Sequence, residues 1–267
     1  MPSPLLRAWT EAVRVWNGAG APPTASSMGL VRPGGPAPQR PWGPEAAAAL
    51  SVPGALAPYL DHTLLRPDAT DMEIEVLAAE ARRHGFGGAC VHPIHLAALV
   101  RALGDSAVEP VAVVGFPHGA HLAEIKLLEA RRAADEGAGA VDVVAPLGRL
   151  KAWEVDRVLG ELRALVSALA PVPVRVILET GLLPATAVVL GAGLALVAGC
   201  DAVKTSTGFN GPGARPEAVA LLRAVVGGQL GVKASGGIRT AAQARALVAA
   251  GASRLGASSS VELVSAC

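Results

Sequence analysis

The sequence predicts an α/β fold in which eight parallel strands, each followed by a helix, close into a (β/α)8 TIM barrel. From about residue 45 onward, short apolar runs alternate with helix-like segments. Continuous apolar strands between amphipathic helices are typical of a parallel sheet covered by helices. Eight such units at a spacing of roughly 30 residues fit a closed barrel. A doubly wound open sheet is the alternative, disfavoured because no Gly-x-Gly-x-x-Gly follows the first strand.

The amino-terminal part differs in composition from the rest and is predicted to form a Pro/Gly-rich extension. Four apolar residues recur there at helical spacing: Leu6, Trp9, Val13 and Trp16. They predict an amphipathic helix over residues 4–16. Proline and glycine are so dense in residues 18–44 that neither helix nor sheet is expected. We therefore predict an extension of residues 1–44, a short helix followed by a linker or disordered segment, and a barrel domain of residues 45–267.

Eight apolar runs in the barrel domain are the predicted strands. They cover residues 59–63, 88–91, 111–115, 141–144, 174–178, 202–205, 231–234 and 254–256. Amphipathic helices are predicted between them at 71–84, 122–136, 153–169 and 241–250. Glycine follows several of the predicted helix ends, where a left-handed cap is favoured, and a strand begins almost at once.

Residues 181–200 carry no charge over nearly the length of a membrane-spanning helix. Pro184, Gly191 and Gly193 interrupt the segment, and it leads directly into the strand that carries Lys204. We therefore predict a barrel helix with little exposed polar face, buried against a partner subunit. Association with a membrane is the alternative.

Composition argues against several classes of function. A net charge of +1 provides no field that would attract nucleic acid or an anionic membrane surface. Cys90, Cys200 and Cys267 are few and widely spaced, which favours a reducing compartment, the cytoplasm, without disulfides. No Cys or His pair has the spacing of a zinc site, so no bound metal is expected. No secretory signal is recognised, and no association with a membrane is expected.

Two strands of the predicted barrel end in the same pattern, Val-Lys-x-Ser-x-Gly, which contains Lys204 in one case and Lys233 in the other. Catalytic groups of TIM barrels lie at the carboxyl ends of the strands, and neighbouring strands are only about 5 Å apart. Lysine attacks a carbonyl only as a neutral amine, and a second ammonium nearby favours that form. Lys204 is therefore the candidate nucleophile. Asp142 points into the same mouth, where it could relay protons or pair with a lysine. A Lys–Asp–Lys cluster that merely closes the barrel is the alternative.

Loops after the sixth, seventh and eighth strands are candidates for binding phosphate. Glycines allow backbone N–H groups to approach an anion, and barrels commonly bind phosphate after the last two strands. The candidates are Gly208, Gly236, Gly237, Gly256, Ser258 and Ser259.

Three further residues have less definite predicted roles. Asp61, expected near the end of the first strand, is interpreted either as an acceptor for a substrate hydroxyl or as the partner of a nearby cation. Cys90 is predicted to be a pocket or core residue rather than a nucleophile, because no activating base is apparent. Glu179 could bind a lysine or close a helix.

Seven blocks of this sequence, taken together and in order, resemble the deoxyribose-phosphate aldolase family. They cover residues 60–65, 115–119, 141–144, 179–181, 203–209, 233–239 and 256–259. The resemblance implies a class I aldolase, a lyase of deoxyribonucleotide catabolism. It would reversibly cleave 2-deoxy-D-ribose 5-phosphate to acetaldehyde and D-glyceraldehyde 3-phosphate. It further implies a homodimer or other homo-oligomer without cofactor or metal.

The same resemblance assigns roles residue by residue. Lys204 corresponds to the Schiff-base lysine, Lys233 to the lysine that keeps it neutral, and Asp142 to the carboxylate that relays protons with water. Substrate-binding positions correspond to Asp61, Thr63 and Cys90. Phosphate-binding positions correspond to Gly208, Gly236, Gly237, Arg239, Gly256, Ser258 and Ser259.

One departure from the family concerns a tyrosine near the carboxyl terminus that assists proton transfer in some members. The only tyrosine of this chain is Tyr59, so turnover is expected to differ more than the identity of the reaction. The remaining alternatives are another Schiff-base lyase acting on a phosphorylated sugar or keto acid, and a barrel that binds a sugar phosphate without catalysis.

Overall fold

The computed structural model describes residues 3–52 and 54–265, and its eight strands form a closed parallel barrel in chain order. The predicted TIM barrel is confirmed. The strands are β1 (Leu60–Leu64), β2 (Gly88–Val91), β3 (Glu109–Val114), β4 (Ala140–Val144), β5 (Val174–Ile177), β6 (Ala202–Lys204), β7 (Gly231–Ser235) and β8 (Arg254–Ala257).

Helices cover the outside of the barrel and precede its first strand. They are α1 (Pro4–Val15), α2 (Pro44–Ala49), α3 (Asp71–His84), α4 (Leu96–Leu103), α5 (Ala123–Asp135), α6 (Leu147–Lys151), α7 (Val155–Leu169), α8 (Ala185–Ala198), α9 (Pro216–Val226), α10 (Ala241–Ala249) and α11 (Ser260–Ser265). Helices α1, α3, α5, α7 and α10 agree with the predicted ones to within about two residues, the usual uncertainty of helix ends. A capping box formed by Thr70 and Glu73 begins α3, and left-handed Gly85 ends it.

Side chains along each strand alternate between the apolar shell and the barrel interior. Val141 and Val143 of β4 pack into the main hydrophobic core, whereas Asp142 between them is buried inside the barrel. Val203 and Val232 likewise pack in that core beside Lys204 and Lys233. This two-residue period places the chemically active side chains in the interior, which in other barrels is filled mainly by branched apolar residues.

The amino-terminal helix α1 packs on α8. Ser3 accepts a hydrogen bond from the Leu6 backbone N–H at 3.2 Å and so caps the helix, whose residues Leu6, Trp9 and Val13 are fully buried. A Cβ at Gly193 of α8 would collide with the indole of Trp9, so only glycine admits the ring. Eleven of the 14 residues of α8 are buried. The uncharged helix is therefore covered by its own chain, and the predicted burial against a partner subunit is wrong.

Residues 18–44 do not form the predicted linker or disordered segment, because they follow the barrel surface and bond to it. Backbone N–H groups of Ala25 and Ala37 donate to the carbonyls of Val225 and Gln229 at 3.2 and 2.9 Å. Arg32 pairs with Asp201 at 2.7 Å. Proline and glycine exclude regular elements here, but they do not exclude order when the neighbouring helices supply the hydrogen-bond partners.

The described parts of the chain include no helix that is both long and apolar enough to cross a membrane. The same residues contain no group of three or more histidine, cysteine, aspartate or glutamate side chains placed to hold a metal ion. Cys90 and Cys200 are buried free thiols, and Cys267 lies outside the described residues.

Candidate active site

Lys204 and Lys233 share one carboxylate oxygen inside the barrel. Each lysine Nζ lies 2.7 Å from Oδ2 of Asp142, so the two nitrogens lie within twice that distance of each other. Lys204 is the last residue of β6 and Lys233 its register partner in β7. All three side chains are almost completely buried. The structure thus brings together the three residues that the sequence predicted to be catalytic.

Small hydroxylated residues after the two lysines join the ends of β6 and β7. The Thr205 hydroxyl accepts from the Ser235 backbone N–H at 3.1 Å, and the Ser235 hydroxyl donates to the carbonyl of Ser206 at 2.5 Å. These buried bonds satisfy backbone groups beyond the ladder and fix the two lysine stems relative to each other. The repeated Val-Lys-x-Ser pattern therefore has a structural role in addition to its chemical one.

Electrostatics in the barrel favour ionised carboxylates. Burial alone would raise the pKa of Asp142, but Lys204, Lys233 and Arg175 lower it well below its usual range. The pKa of Lys233 would be lowered by burial, yet Asp142 and Asp61 outweigh that effect and raise it. Lys233 is therefore a stable ammonium beside Lys204.

The buried network contains one more cation than it has carboxylates when both lysines are protonated. Its members are Lys204, Lys233, Arg175 and Arg254, against Asp61, Glu109 and Asp142. A neutral amine on Lys204 would balance the charges, and attack on a carbonyl needs that neutral form.

Asp61 lies deeper than the sequence suggested, because it is the second residue of β1 and not close to its end. Its side chain is fully buried, with Oδ2 at 2.5 Å from Lys233 Nζ and Oδ1 at 2.6 Å from Arg254 Nη2. Of the two interpretations left open, the partner of a cation is the one that this geometry supports. Thr63, two residues further on, is half-buried and donates to the Asp61 carbonyl at 2.8 Å.

Cys90 lies beside Thr63 in the barrel register and is fully buried. Burial raises the pKa of its thiol to about 11, although Lys233 and Lys204 act in the opposite direction. The residue packs with Leu65, Val111 and the ring of Phe116 in a small apolar cluster. Cys90 is therefore a protonated wall residue beside the lysines.

The proposed phosphate loops form the rim of the barrel mouth. Gly208, Gly237, Arg239 and Ser258 are exposed, Gly236 and Ser259 half-buried, and Gly256 buried. Positive φ angles of 85°, 93° and 73° at Gly208, Gly236 and Gly237 are conformations that side chains disfavour. The backbone N–H groups of Arg239 and Thr240 already donate to Gln243 Oε1 at 2.9 and 3.1 Å. The helix start that follows is thus capped by its own side chain.

Glu179 neither binds a lysine nor closes a helix, contrary to expectation. It follows β5 with a left-handed φ of 44°, is buried, and accepts hydrogen bonds from the backbone N–H and hydroxyl of Thr207. Asn210 Nδ2 approaches the same carboxylate at 3.5 Å. Glu179 thereby holds the loop that follows Lys204. A non-glycine residue in this backbone region is strained and often occurs near functional sites.

Arg175, Glu109 and Arg254 are further members of the network that sequence reasoning missed. Their signal in the sequence was a single charged side chain within or beside an apolar strand, as in Val174-Arg175-Val176. Which interior groups such residues meet depends on the barrel register, and no local pattern specifies that register.

The sequence model of a protein family, described as DeoC/LacD family aldolase, matches residues 56–260 of this chain. The deoxyribose-phosphate aldolase of Streptococcus suis is 44% identical over 206 residues, which cover 77% of this chain and 94% of that protein. The deoxyribose-phosphate aldolase of a Cyanothece species is 48% identical over 209 residues, which cover 78% of this chain and 91% of that protein.

Two solved structures extend the comparison. A Coccidioides immitis protein provisionally assigned as a deoxyribose-phosphate aldolase superposes with a TM-score of 0.81 at 34% identity, covering 98% of this chain and 97% of that one. The coverage includes nearly all of the amino-terminal extension. The deoxyribose phosphate aldolase of Aeropyrum pernix, described as a tetramer, superposes with a TM-score of 0.75 at 35% identity. The superposition covers 83% of this chain and 95% of that one.

Proposed function

Since this chain belongs to the DeoC/LacD family of aldolases, we propose that it reversibly cleaves 2-deoxy-D-ribose 5-phosphate into acetaldehyde and D-glyceraldehyde 3-phosphate. The relatives of that name match over most of the chain, and the family match spans residues 56–260, a range that contains every strand of the barrel and both lysines. The observation that carries the proposal is the single Asp142 oxygen shared by Lys204 and Lys233.

In the proposed reaction, the neutral amine of Lys204 attacks the aldehyde carbon of the open-chain substrate, and water leaves to give a protonated imine. A base removes the proton of the hydroxyl on the third carbon. The bond between the second and third carbons breaks, its electrons move towards the imine nitrogen, and glyceraldehyde 3-phosphate departs from an enamine. The enamine takes a proton at its terminal carbon, and hydrolysis releases acetaldehyde and the free amine.

Asp142 and Lys233 have separate proposed roles in these steps. The carboxylate of Asp142 is 2.7 Å from the nucleophile, within reach to accept and return protons through a water molecule. Lys233 remains an ammonium held by two buried carboxylates and keeps a fixed positive charge beside Lys204. The rim glycines with Ser258 and Ser259 would bind the substrate phosphate, which needs backbone donors that approach closely.

Reductive trapping tests substrate and nucleophile in one experiment. We expect borohydride with acetaldehyde to leave an ethyl group on Lys204, located by peptide mass spectrometry, and deoxyribose phosphate to be cleaved by the wild type. Lys204→Ala should bind substrate without cleaving it or forming the adduct. An adduct with a keto acid but none with acetaldehyde or deoxyribose phosphate would favour a different Schiff-base lyase. Sugar phosphate binding without any cleavage would favour a sensor.

We also propose that copies of this chain associate in the cytoplasm. Large apolar side chains are exposed on α5 and the turn before α4: Ile94, Leu122, Ile125 and Leu128. Clusters of this kind often mark interfaces, and the free buried thiols fit a reducing compartment. Sedimentation analysis should give a mass above the 26.8 kDa of one chain. Leu128→Lys should weaken association, and a wild-type monomer at micromolar concentration would reject the proposal.

A further inference from the structure

A second layer of charged side chains lies inside the barrel beneath the lysines. Glu109, Arg175 and Arg254 are the first or second residues of β3, β5 and β8, at the amino-terminal side of the sheet. They line a cavity of about 370 Å³ that Pro38, Gln39 and Arg40 of the extension partly cover. This layer therefore lies towards the end of the barrel opposite the mouth.

Arg175 faces both buried carboxylates without being hydrogen-bonded to either. Its Nη1 lies 3.7 Å from Asp61 Oδ2 and 3.8 Å from Asp142 Oδ1, too long for hydrogen bonds but close enough for strong Coulomb attraction at a buried site. Among the described residues, neither Nη1 nor Asp142 Oδ1 has a hydrogen-bond partner. The side chain is 93% buried, and Nη2 is held by Glu109 at 2.5 Å.

The two oxygens of Asp142 therefore have different environments. Oδ2 accepts from both lysines, whereas Oδ1 faces the guanidinium of Arg175. Arg254 is engaged elsewhere, because its Nε and Nη2 groups contact Asp61, Glu109 and the carbonyl of Gly87. Arg175 thus presents an unused donor group towards the carboxylate that touches the nucleophile.

We propose that Arg175, anchored by Glu109, is a positioning residue that keeps Asp142 ionised and turned towards the lysines. Its fixed charge lets Lys204 react as a neutral amine while Asp142 remains a carboxylate. The proposal rests on the proposed aldolase function. When Lys204 is neutral, Asp142 loses one of its two ammonium partners, and Arg175 is the remaining cation besides Lys233 that faces it.

The pH dependence of imine formation should report this role. Titratable groups from every other strand of the barrel surround Arg175 of β5. They are Asp61, Cys90, Glu109, Asp142, Lys204, Lys233 and Arg254. Arg175 lowers the pKa of Asp142 and opposes the rise in the pKa of Lys233. Removing its charge should raise the pKa values of Asp142 and Lys233, so the pH profile of imine formation should move to higher pH.

Arg175→Met and Arg175→Lys separate charge from packing. We expect Arg175→Met to lower the rate of borohydride trapping with acetaldehyde by about tenfold at neutral pH, with recovery at higher pH. The KM for deoxyribose phosphate should change less than kcat, because the phosphate loops are untouched. Arg175→Lys should restore most of the neutral-pH rate.

Further variants keep the test decisive if Arg175→Met folds poorly. Glu109→Gln removes a negative charge from the same cluster while retaining the guanidinium, and should shift the trapping profile in the opposite direction, to lower pH. Arg157→Met removes an exposed arginine of α7 and should leave the profile as in the wild type. An unchanged profile in folded Arg175→Met, or in Glu109→Gln if the former fails to fold, would overturn the inference. A wild type that forms no acetaldehyde imine would instead refute the proposed function.

Discussion

Trp9→Ala tests whether the amino-terminal extension is part of the folded domain. Trp9 has no exposed surface and packs its ring against Gly193 of α8. Truncating a fully buried tryptophan costs about 3–5 kcal/mol, because buried apolar area is lost and a cavity remains. The indole N–H···O contact to Pro23, at 3.3 Å, is long and adds little.

The stability lost in Trp9→Ala is limited by the free energy with which α1 docks on α8. If it exceeds the free energy with which α1 docks, the helix will detach and expose the apolar face of α8, so unfolding should no longer be a single transition. Denaturant unfolding measured by circular dichroism gives the free energy, and limited proteolysis within residues 18–44 reports detachment. Trp16→Ala is the matched control, since Trp16 is only half-buried and should cost about 1 kcal/mol.

Catalysis should be retained in folded Trp9→Ala, because Trp9 packs on the outer face of α8 and its contacts do not reach Lys204. If Trp9→Ala unfolds at the same denaturant concentration as the wild type, the extension does not contribute to stability in solution. The account of why α8 lacks charge would then be refuted.

Three further predictions concern the site. Glu179→Gln replaces the carboxylate that accepts hydrogen bonds from Thr207. The free energy of unfolding should fall by about 1–3 kcal/mol, and kcat/KM should fall about tenfold. Unaltered kinetics would exclude a role of Glu179 in holding the loop. Burial would raise the pKa values of Asp61 and Asp142, but neighbouring cations depress them, so their contribution to stability is present above about pH 4 and is lost as pH falls further. Unfolding free energies between pH 7 and 3 should fall accordingly, and a flat curve would contradict the ion-pair network. Cys90, whose thiol pKa is about 11, should alkylate at least about a hundredfold more slowly than a free cysteine at pH 7.5; fast labelling of the folded protein, followed by mass spectrometry, would show that the site opens.

The residues with a local signature were the ones that sequence reasoning located. Lys204 and Lys233 share a repeated pattern, and the alternation of strands and helices made them neighbours at one barrel mouth. The depth of Asp61 was misjudged because the start of β1 is set by its pairing with β2 and β8, not by its own residues. Arg175 was missed because its meaning comes from partners on three other strands.

The extension shows a different limit of sequence reasoning. The composition of residues 18–44 correctly indicates little regular structure, yet the segment is held by backbone hydrogen bonds to elements about 200 residues away in sequence. For α8, the absence of charge correctly indicated a covering partner. The sequence pattern does not indicate which element covers α8, because a helix of the same chain and a second subunit bury an apolar face equally well.

The packing of α1 on α8 also has a consequence for the order of folding. During synthesis Leu6, Trp9 and Val13 emerge before the barrel, whereas Gly193 and the rest of their docking surface emerge only after five strands of the barrel. Contacts between such distant segments are slow to form, because a long loop must close before they stabilise anything. The amino-terminal helix therefore has an unpaired apolar face during most of translation. This segment is made before the barrel but is among the last to reach its final position, and the nascent chain is exposed to aggregation until it does.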